Sequence, residues 1–167
     1  MPRMQTLTES INHKMKTVKH PMIFIPGNVP SSKNLQRCGC TKQAKPYEYA
    51  DNRVKEYIQL TDDRYAKMAE KFYKGYENGH DLLGEKMYSA PCKVGFHFVR
   101  ADKRDFDFIN ALQIVADRMV HHGWLTDDSM RYFIPTPLYY TPKEFTFNCG
   151  WYSVNPNGPG VAIKLLG

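Results

Sequence analysis

The sequence lacks any long apolar run. A membrane-spanning helix needs roughly 18 or more consecutive apolar residues, and no segment of the 167-residue chain approaches that length. The opening segment, MPRMQTLTESINHKMKTVKH, also lacks the apolar centre of a secretory signal peptide. We therefore expect a soluble, cytoplasmic protein without membrane contacts, in which residues 1–20 form a polar, mobile lead-in.

Cysteine is scarce as well, and glycine does not form a phosphate-binding motif. A structural zinc site takes four ligands, and the C-x-C pair of Cys38 and Cys40 has no further pair at a matching spacing. We therefore expect all four cysteines to be free thiols. The absence of a glycine-rich phosphate loop argues against a hydrolase of small phosphate esters. The sequence has no internal repeat and no low-complexity segment.

What the sequence does have is an excess of basic residues and enough apolar ones for a core. Lysine and arginine number 23 against 17 acidic residues, which gives a net charge of +6 and favours a polyanionic partner such as nucleic acid. Hydrophobic residues make up 42% of a chain of ordinary domain length. We expect one domain over residues 21–167.

Hydrophobic patterning predicts several strands. Residues 22–25 predict a strand that leads into the loop PGNVPSSKN, and residues 37–50 predict an exposed loop or short hairpin. In KVGFHFVRA the apolar residues alternate, which predicts a strand with one buried face formed by Val94, Phe96 and Phe98. Further strands are predicted in the proline-rich stretch after residue 129 and in the closing GVAIKLL.

Two segments have the spacing of amphipathic helices. The first spans residues 61–76, with Thr61 as its N-cap. The second begins at Phe108 or Asn110 and ends at His122, before Gly123. The apolar stripe of the first helix is formed by Tyr65, Met68, Ala69 and Phe72, and that of the second by Phe108, Leu112, Val115, Ala116 and Met119. Together the elements predict an α/β or α+β fold, a mixed β-sheet packed by two main helices.

Acidic residues are concentrated in one stretch of this basic chain. RADKRDFDFINALQIVADRMVHHGWLTDDS, residues 100–129, contains Asp105 and Asp107 before the second helix and Asp127 and Asp128 after it. If the first pair continues a strand, both carboxylates point to one face. If the helix returns the chain across the sheet, the second pair meets the first. Such a cluster of carboxylates is typical of a Mg²⁺ or Mn²⁺ site.

Each acidic pair also has a purely structural interpretation. Asp105 and Asp107 are explained equally by ion pairs with Lys103 and Arg104 in a solvated loop. Aspartate is also common as a turn or capping residue, which would account for Asp127 and Asp128. Similarly, isolated histidines such as His97, His121 and His122 more often pack or face solvent than act as a general base. Trp124 is more simply a core residue than a base-stacking one.

The combination resembles the RusA family of Holliday junction resolvases. The resemblance is carried by KRDFDFINALQIVADRMVHHGWLTDDS and by the upstream IFIPGNVPSSKN. It implies a small homodimeric endonuclease that binds four-way DNA junctions and nicks two opposed strands, using Mg²⁺ or Mn²⁺ held by carboxylates. Such enzymes serve DNA recombination and repair and are often found in phage or prophage genomes. The alternative is a junction-binding or DNA-binding protein of the same fold without catalysis.

The sequence departs from the family pattern at two positions. The family asparagine directly follows the second aspartate, whereas here Phe108 and Ile109 intervene before Asn110. An ungapped alignment therefore puts Asp107 on the first family aspartate and Ile109 on the second, while an insertion of two residues keeps Asp105 and Asp107 as the pair. The family lysine one turn into the helix is replaced by Gln113, which cannot neutralise charge.

From the residues and the resemblance together we assign expected roles. Asp105, Asp107 and Asp128 are the expected catalytic residues. The expected metal ligands are these three residues and Asp127. The expected DNA contacts are Lys33, Arg100, Lys103, Arg104 and Gln113, and the expected outer shell is Asn110 and Asp117.

Overall fold

A computed structural model describes residues 20–31, 36–40, 42, 46–73 and 91–166. The predicted lead-in, apart from His20, lies outside the described residues, and so does Lys33. The described chain forms an α+β fold in which one six-stranded mixed sheet is accompanied by two helices and a separate two-stranded hairpin. The predicted fold class is confirmed.

The central strand of the sheet is β4, Cys92–Arg100. The remaining sheet strands are β1 Ile23–Pro26, β5 Phe133–Pro137, β6 Phe147–Asn148, β7 Tyr152–Val154 and β8 Gly160–Leu165, and the hairpin strands are β2 Gln36–Cys40 and β3 Pro46–Ala50. On one edge β4 pairs antiparallel with β8, which in turn pairs antiparallel with β1. The other edge is shared by two parallel partners, because β5 pairs with the first half of β4 and β7 with its end. β6 completes the sheet beside β7.

Both faces of β4 are buried, which corrects the prediction of a single core face. Val94, Phe96 and Phe98 are in the core as expected, but His97 and Val99 on the opposite face are buried too. Central strands that are covered on both sides show this near-continuous burial. The polar ring of His97 can be buried because both of its nitrogens have a hydrogen-bond partner. Leu138 O lies 3.1 Å from Nδ1, and Ser153 Oγ lies 3.0 Å from Nε2. The expected packing role of this histidine is confirmed.

Helix α1, Asn52–Tyr73, begins nine residues before the predicted start at Thr61. Its first turn is capped by Asp51, a buried residue whose Oδ1 accepts a 2.9 Å hydrogen bond from the Arg53 N–H. Thr61 is therefore an interior residue, and its hydroxyl donates to Tyr57 O at 2.7 Å. A threonine that bonds back to the preceding turn resembles a cap in sequence, which explains the error.

Helix α2, Phe108–His121, connects the parallel strands β4 and β5. It begins at Phe108, one of the two predicted starts, and ends one residue before the predicted end at His122, which is its C-cap. Asp107 is its N-cap, and Gly123, with φ +72°, follows its last turn. Because β4 and β5 run in the same direction, α2 must run back along the sheet. Its N-terminus therefore lies at the carboxyl end of β4, and its C-terminus toward the start of β5. The apolar stripe faces the core as predicted.

The core between the helices and the sheet is rich in aromatic rings. Trp124 is fully buried, and its Nε1–H donates to Tyr65 O at 2.9 Å. Its ring centroid lies 5.1 Å from that of Phe72 on α1. The expected core role of Trp124 is confirmed. Among the described residues, no helix has the length and apolar character of a membrane span.

Candidate functional site

Two loops that are distant in sequence meet at the carboxyl end of β4. The first loop, 27–31, follows β1 and belongs to the segment PGNVPSSKN. Arg100, the last residue of β4, donates to Val29 O and, at 3.4 Å, to Ser31 Oγ. The Ala101 N–H donates to Asn28 Oδ1 at 3.2 Å. These bonds fix the first loop against the β4–α2 loop, residues 101–107.

A cavity of about 520 Å³ lies between these two loops and α1. Its lining includes Arg53, Arg100 and Arg104, together with Asp105 and the buried Tyr57. This is an appropriate volume for a small ligand or a segment of a larger one. The cavity unites the upstream loop of the predicted motif with one of its aspartates and with two of its predicted DNA-binding residues.

Gly27 allows the first loop to approach α1 closely. Its φ of +123° lies in a region that side chains other than glycine rarely adopt. A Cβ at this position would lie 3.3 Å from both Thr61 Cγ2 and Tyr57 Cε2. The Gly27 N–H also donates to Pro159 O at 2.8 Å, which ties the loop to the chain just before β8.

The arginines of the cavity are paired within the protein. Arg53 Nε lies 3.1 Å from the buried Asp51 carboxylate, and Arg104 Nη2 lies 2.6 Å from Asp102. The hydrogen bonds from Arg104 lower the pKa of Asp102 to about 2. Burial lowers the pKa of Arg100, which nevertheless stays charged at neutral pH. A phosphate entering the cavity would therefore share these arginines with internal partners, and the local positive potential is smaller than their number implies.

Asp105 and Asp107 lie in the β4–α2 loop and not on the strand. β4 ends at Arg100, five residues before Asp105, so the strand alternation that we used to align the two carboxylates does not apply. Asp105 is exposed and lines the cavity. Asp107 caps α2, since its Oδ1 accepts from the N–H groups of Ile109 at 2.9 Å and Asn110 at 3.3 Å. A carboxylate at this position is also stabilised by the helix dipole.

The second acidic pair lies in an exposed turn before β5. Asp127 Oδ1 accepts from the Asp128 N–H at 2.9 Å, and a hydrogen bond from Ser129 lowers the pKa of Asp127. Asp127 thus orders its own turn, as its structural interpretation predicted. Partial burial and the charge of Asp128 raise the pKa of Asp117, so Asp128 lies close to that residue.

The predicted convergence of the four aspartates is not formed in this structure. Within the described ranges, the group of three or more potential metal ligands lying within 4.8 Å of one another consists of Asp62, His121 and His122, and contains none of the four. The reason is the course of α2, which carries the chain away from Asp107. Asp117, the neighbour of Asp128, lies ten residues after Asp107, or about 15 Å along the helix. The metal-binding role of the two pairs stays a prediction.

The other predicted contact residues have distinct environments. Lys103 is exposed, and its amino group lies 5.8 Å from the centre of the Phe147 ring. Gln113 is exposed on α2, while Asn110 is half-buried beside the helix N-terminus. Arg100 is held by its bonds to the first loop and by the Phe106 ring, 4.8 Å from its guanidinium carbon. It therefore positions the cavity wall in addition to lining the cavity.

The sequence did not predict the cluster of Asp62, His121 and His122. Adjacent histidines at the end of a helix are visible in the sequence, but the acidic partner comes from α1, about sixty residues earlier. Only the packing of α1 against α2 brings the three side chains together. Arg118 on α2 also contacts this cluster.

Comparison with known proteins adds no relative. No family model matches the chain, and no curated protein matches it significantly. The resemblance to the RusA family therefore rests on the motifs alone. The basis for a functional assignment is the cavity and the residues around it.

Proposed function

We propose that the protein is a metal-dependent endonuclease that acts on branched DNA. The observation that carries the proposal is the cavity at the carboxyl end of β4, where the loop 27–31, Asp105 and three arginines meet. Asp107 follows two residues later at the N-terminus of α2. Acidic residues beside arginines suit a phosphodiester, because the carboxylates bind a cation and the guanidinium groups bind the phosphate.

The site does not require all four aspartates to converge. Mg²⁺ commonly retains several waters and is held by one or two carboxylates together with substrate phosphate oxygens. Asp105 and Asp107 are the carboxylates that would hold it, since both lie in the β4–α2 loop. Both capping bonds of Asp107 end on Oδ1, which leaves Oδ2 for this purpose. When bound, the ion would supply an activated water and stabilise charge on the phosphate.

The protein groups would then act mainly by positioning. Arg53 and Arg104, both on the cavity wall, would hold phosphate oxygens of the DNA backbone. Arg100 would keep the first loop in place and contribute its charge. Asp127 and Asp128 would join the site only through a movement of their turn, so we give them a secondary role.

The second candidate is binding of the same DNA without cleavage. It is favoured by Gln113, which replaces the family lysine, and by the separation of the acidic pairs. Both candidates predict that a polyanion is bound, and they differ only in the fate of the phosphodiester. A resolvase must also cut two opposed strands, so the first candidate includes a homodimer.

A synthetic four-way junction tests both candidates. We expect the full chain to bind it more tightly than a linear duplex of equal length. We also expect the affinity to fall by orders of magnitude between about 50 and 200 mM salt, because several phosphates are neutralised. Nicking should occur with Mg²⁺ or Mn²⁺ and stop with EDTA.

The outcomes separate the candidates. Salt-sensitive binding without nicking in any metal would support the non-catalytic candidate. Equal, salt-independent affinity for junction and duplex would contradict both.

A further inference from the structure

The cluster formed by Asp62, His121 and His122, here called the Asp62–His122 cluster, lies apart from the proposed nuclease site. Asp62 is on α1, and the histidines are at the C-terminal end of α2. The potential ligand atoms of all three lie within 4.8 Å of one another. The proposed nuclease site surrounds the other end of α2.

The contacts among Asp62, His122 and Arg118 cannot all be favourable at the same time. His122 Nε2 lies 2.9 Å from Asp62 Oδ1 and 2.8 Å from Arg118 Nη2, and Arg118 Nη2 also donates to Asp62 Oδ1. A guanidinium has only donors, so Nε2 accepts from Arg118 through its lone pair. That lone pair then faces a carboxylate oxygen at 2.9 Å. If Nε2 carried a proton, it would donate to Asp62. Its N–H would then face the Arg118 N–H, and two donors cannot bond to each other.

Arg118 is the cation that Asp62 and His122 share, and its burial is unfavourable. The residue is 9% exposed, and its Nε is buried without a hydrogen-bond partner among the described residues. A buried donor without a partner is unfavourable. Asp62 and His122 thus share a cation whose own hydrogen-bonding groups are not all paired.

We propose that the Asp62–His122 cluster is a transition-metal site that takes Zn²⁺ or a similar ion. The ligands are the Asp62 carboxylate and the two imidazoles, and the ion replaces the Arg118 guanidinium as the cation shared by Asp62 and His122. Two imidazoles and one carboxylate suit Zn²⁺, Co²⁺ or Ni²⁺, whereas Mg²⁺ prefers oxygen ligands. Three protein ligands leave the fourth tetrahedral position open to water or another ligand.

The neighbouring side chains suit this role. His121 is exposed, and its ring lies 4.9 Å from that of His122, so it can turn toward the ion without disturbing the core. Tyr65 stacks on His122 at an interplanar angle of 5°, which fixes the plane of that ring. Because Asp62 and the histidines come from different helices, a bound ion links α1 to the end of α2 and should raise the melting temperature.

Cobalt titration of the full chain, without an affinity tag and after chelator treatment, tests this site. We expect one equivalent of Co²⁺ to bind, seen by its visible absorption, and to be displaced by Zn²⁺. His121→Ala and Asp62→Asn should weaken binding at least about tenfold, since even the partners of metal ligands are commonly worth 10–100-fold. Asp63→Asn, which alters the adjacent exposed carboxylate, is the matched control and should bind normally.

Two other locations for the ion have to be distinguished. A Cys38→Ser/Cys40→Ser double variant should retain cobalt, and so should Asp107→Asn. Cobalt that is lost in either of these variants but kept in His121→Ala would overturn the proposal, as would a wild-type chain that binds none. Neither result depends on whether the protein cleaves DNA.

Discussion

At the scale of single residues, Asp107 has a structural function and a proposed chemical one. The structural function is that of an N-cap, which uses Oδ1. The proposed function is that of a metal ligand, which would use Oδ2. The sequence left both interpretations open, and the structure shows the first.

Amide and methyl substitutions of Asp107 should separate the two functions. Asparagine caps helices about as well as aspartate, so Asp107→Asn should change the free energy of unfolding by less than about 0.5 kcal/mol. Asp107→Ala removes the acceptor and should cost about 1 kcal/mol. Urea unfolding followed by circular dichroism gives both values. An Asn variant as unstable as the Ala variant would contradict the capping geometry.

A second prediction at this scale concerns Asp117 and Asp128. Partial burial and the negative charge of Asp128 both raise the pKa of Asp117. In Asp128→Asn the pKa of Asp117 should fall, yet stay above its ordinary value because burial is the larger cause. NMR titration of the side-chain carboxyl carbon measures it, with Asp127→Asn as control. An unchanged pKa in Asp128→Asn would show that the two carboxylates are not neighbours.

The pH dependence of stability follows from the sign of this shift. The folded protein keeps the Asp117 proton to a higher pH than the unfolded chain does, so this residue opposes folding increasingly as the pH rises through its folded pKa. Asp128→Asn should reduce that effect. The change should be small, because Asp117 is only partly buried and solvent screens its charge.

At the scale of elements, the sequence predicted those helices and strands whose ends and periodicity are set by neighbouring residues. α2 was predictable because a cap, a 3.6-residue period and a terminal glycine all agree. The start of α1 was missed because Thr61 resembles a cap and the polar residues before it conceal the helical pattern. The three-residue β7 was not predicted as a separate strand. The second buried face of β4 depends on a partner for His97 at residue 153, which no local pattern reveals.

The packing of α1 against α2 should depend strongly on Trp124. Trp124→Phe removes the buried N–H that bonds to Tyr65 O and replaces a fully buried ring by a smaller one, at a cost of about 1–3 kcal/mol. Trp151 is 55% exposed and is the matched control. Trp151→Phe should change stability by no more than about 0.5 kcal/mol. Equal losses from the two substitutions, measured by urea unfolding, would contradict this account of the core.

At the scale of the whole molecule, the candidate site is a tertiary feature. The loop 27–31, the first turns of α1 and the β4–α2 loop are separated by tens of residues and meet only because β1, β8 and β4 are neighbours in the sheet. The sequence predicted several of the residues but not the cavity, and it placed Asp127 and Asp128 there too. That placement required α2 to return the chain to the end of β4 where it began, which a parallel crossover does not do.

The proposed paired nicking predicts a dimer in solution. Symmetric cleavage of a two-fold junction requires two copies of the site, related by an isologous interface. Light scattering of the 19.4 kDa chain with a bound junction should give two chains per complex. A single chain per junction at assay concentration would contradict the paired mechanism, although not DNA binding itself.

The most direct test of the proposed function is the rate at which folded variants nick a synthetic four-way junction at saturating protein and Mg²⁺. We predict that Asp107→Asn and Asp105→Asn lose nicking but keep junction binding, because each loses an anionic ligand at nearly constant volume. Asp63→Asn, which alters an exposed carboxylate on α1 that does not line the cavity, should nick like the wild type. Wild-type nicking by a folded Asp107→Asn variant would contradict the assignment of the active site.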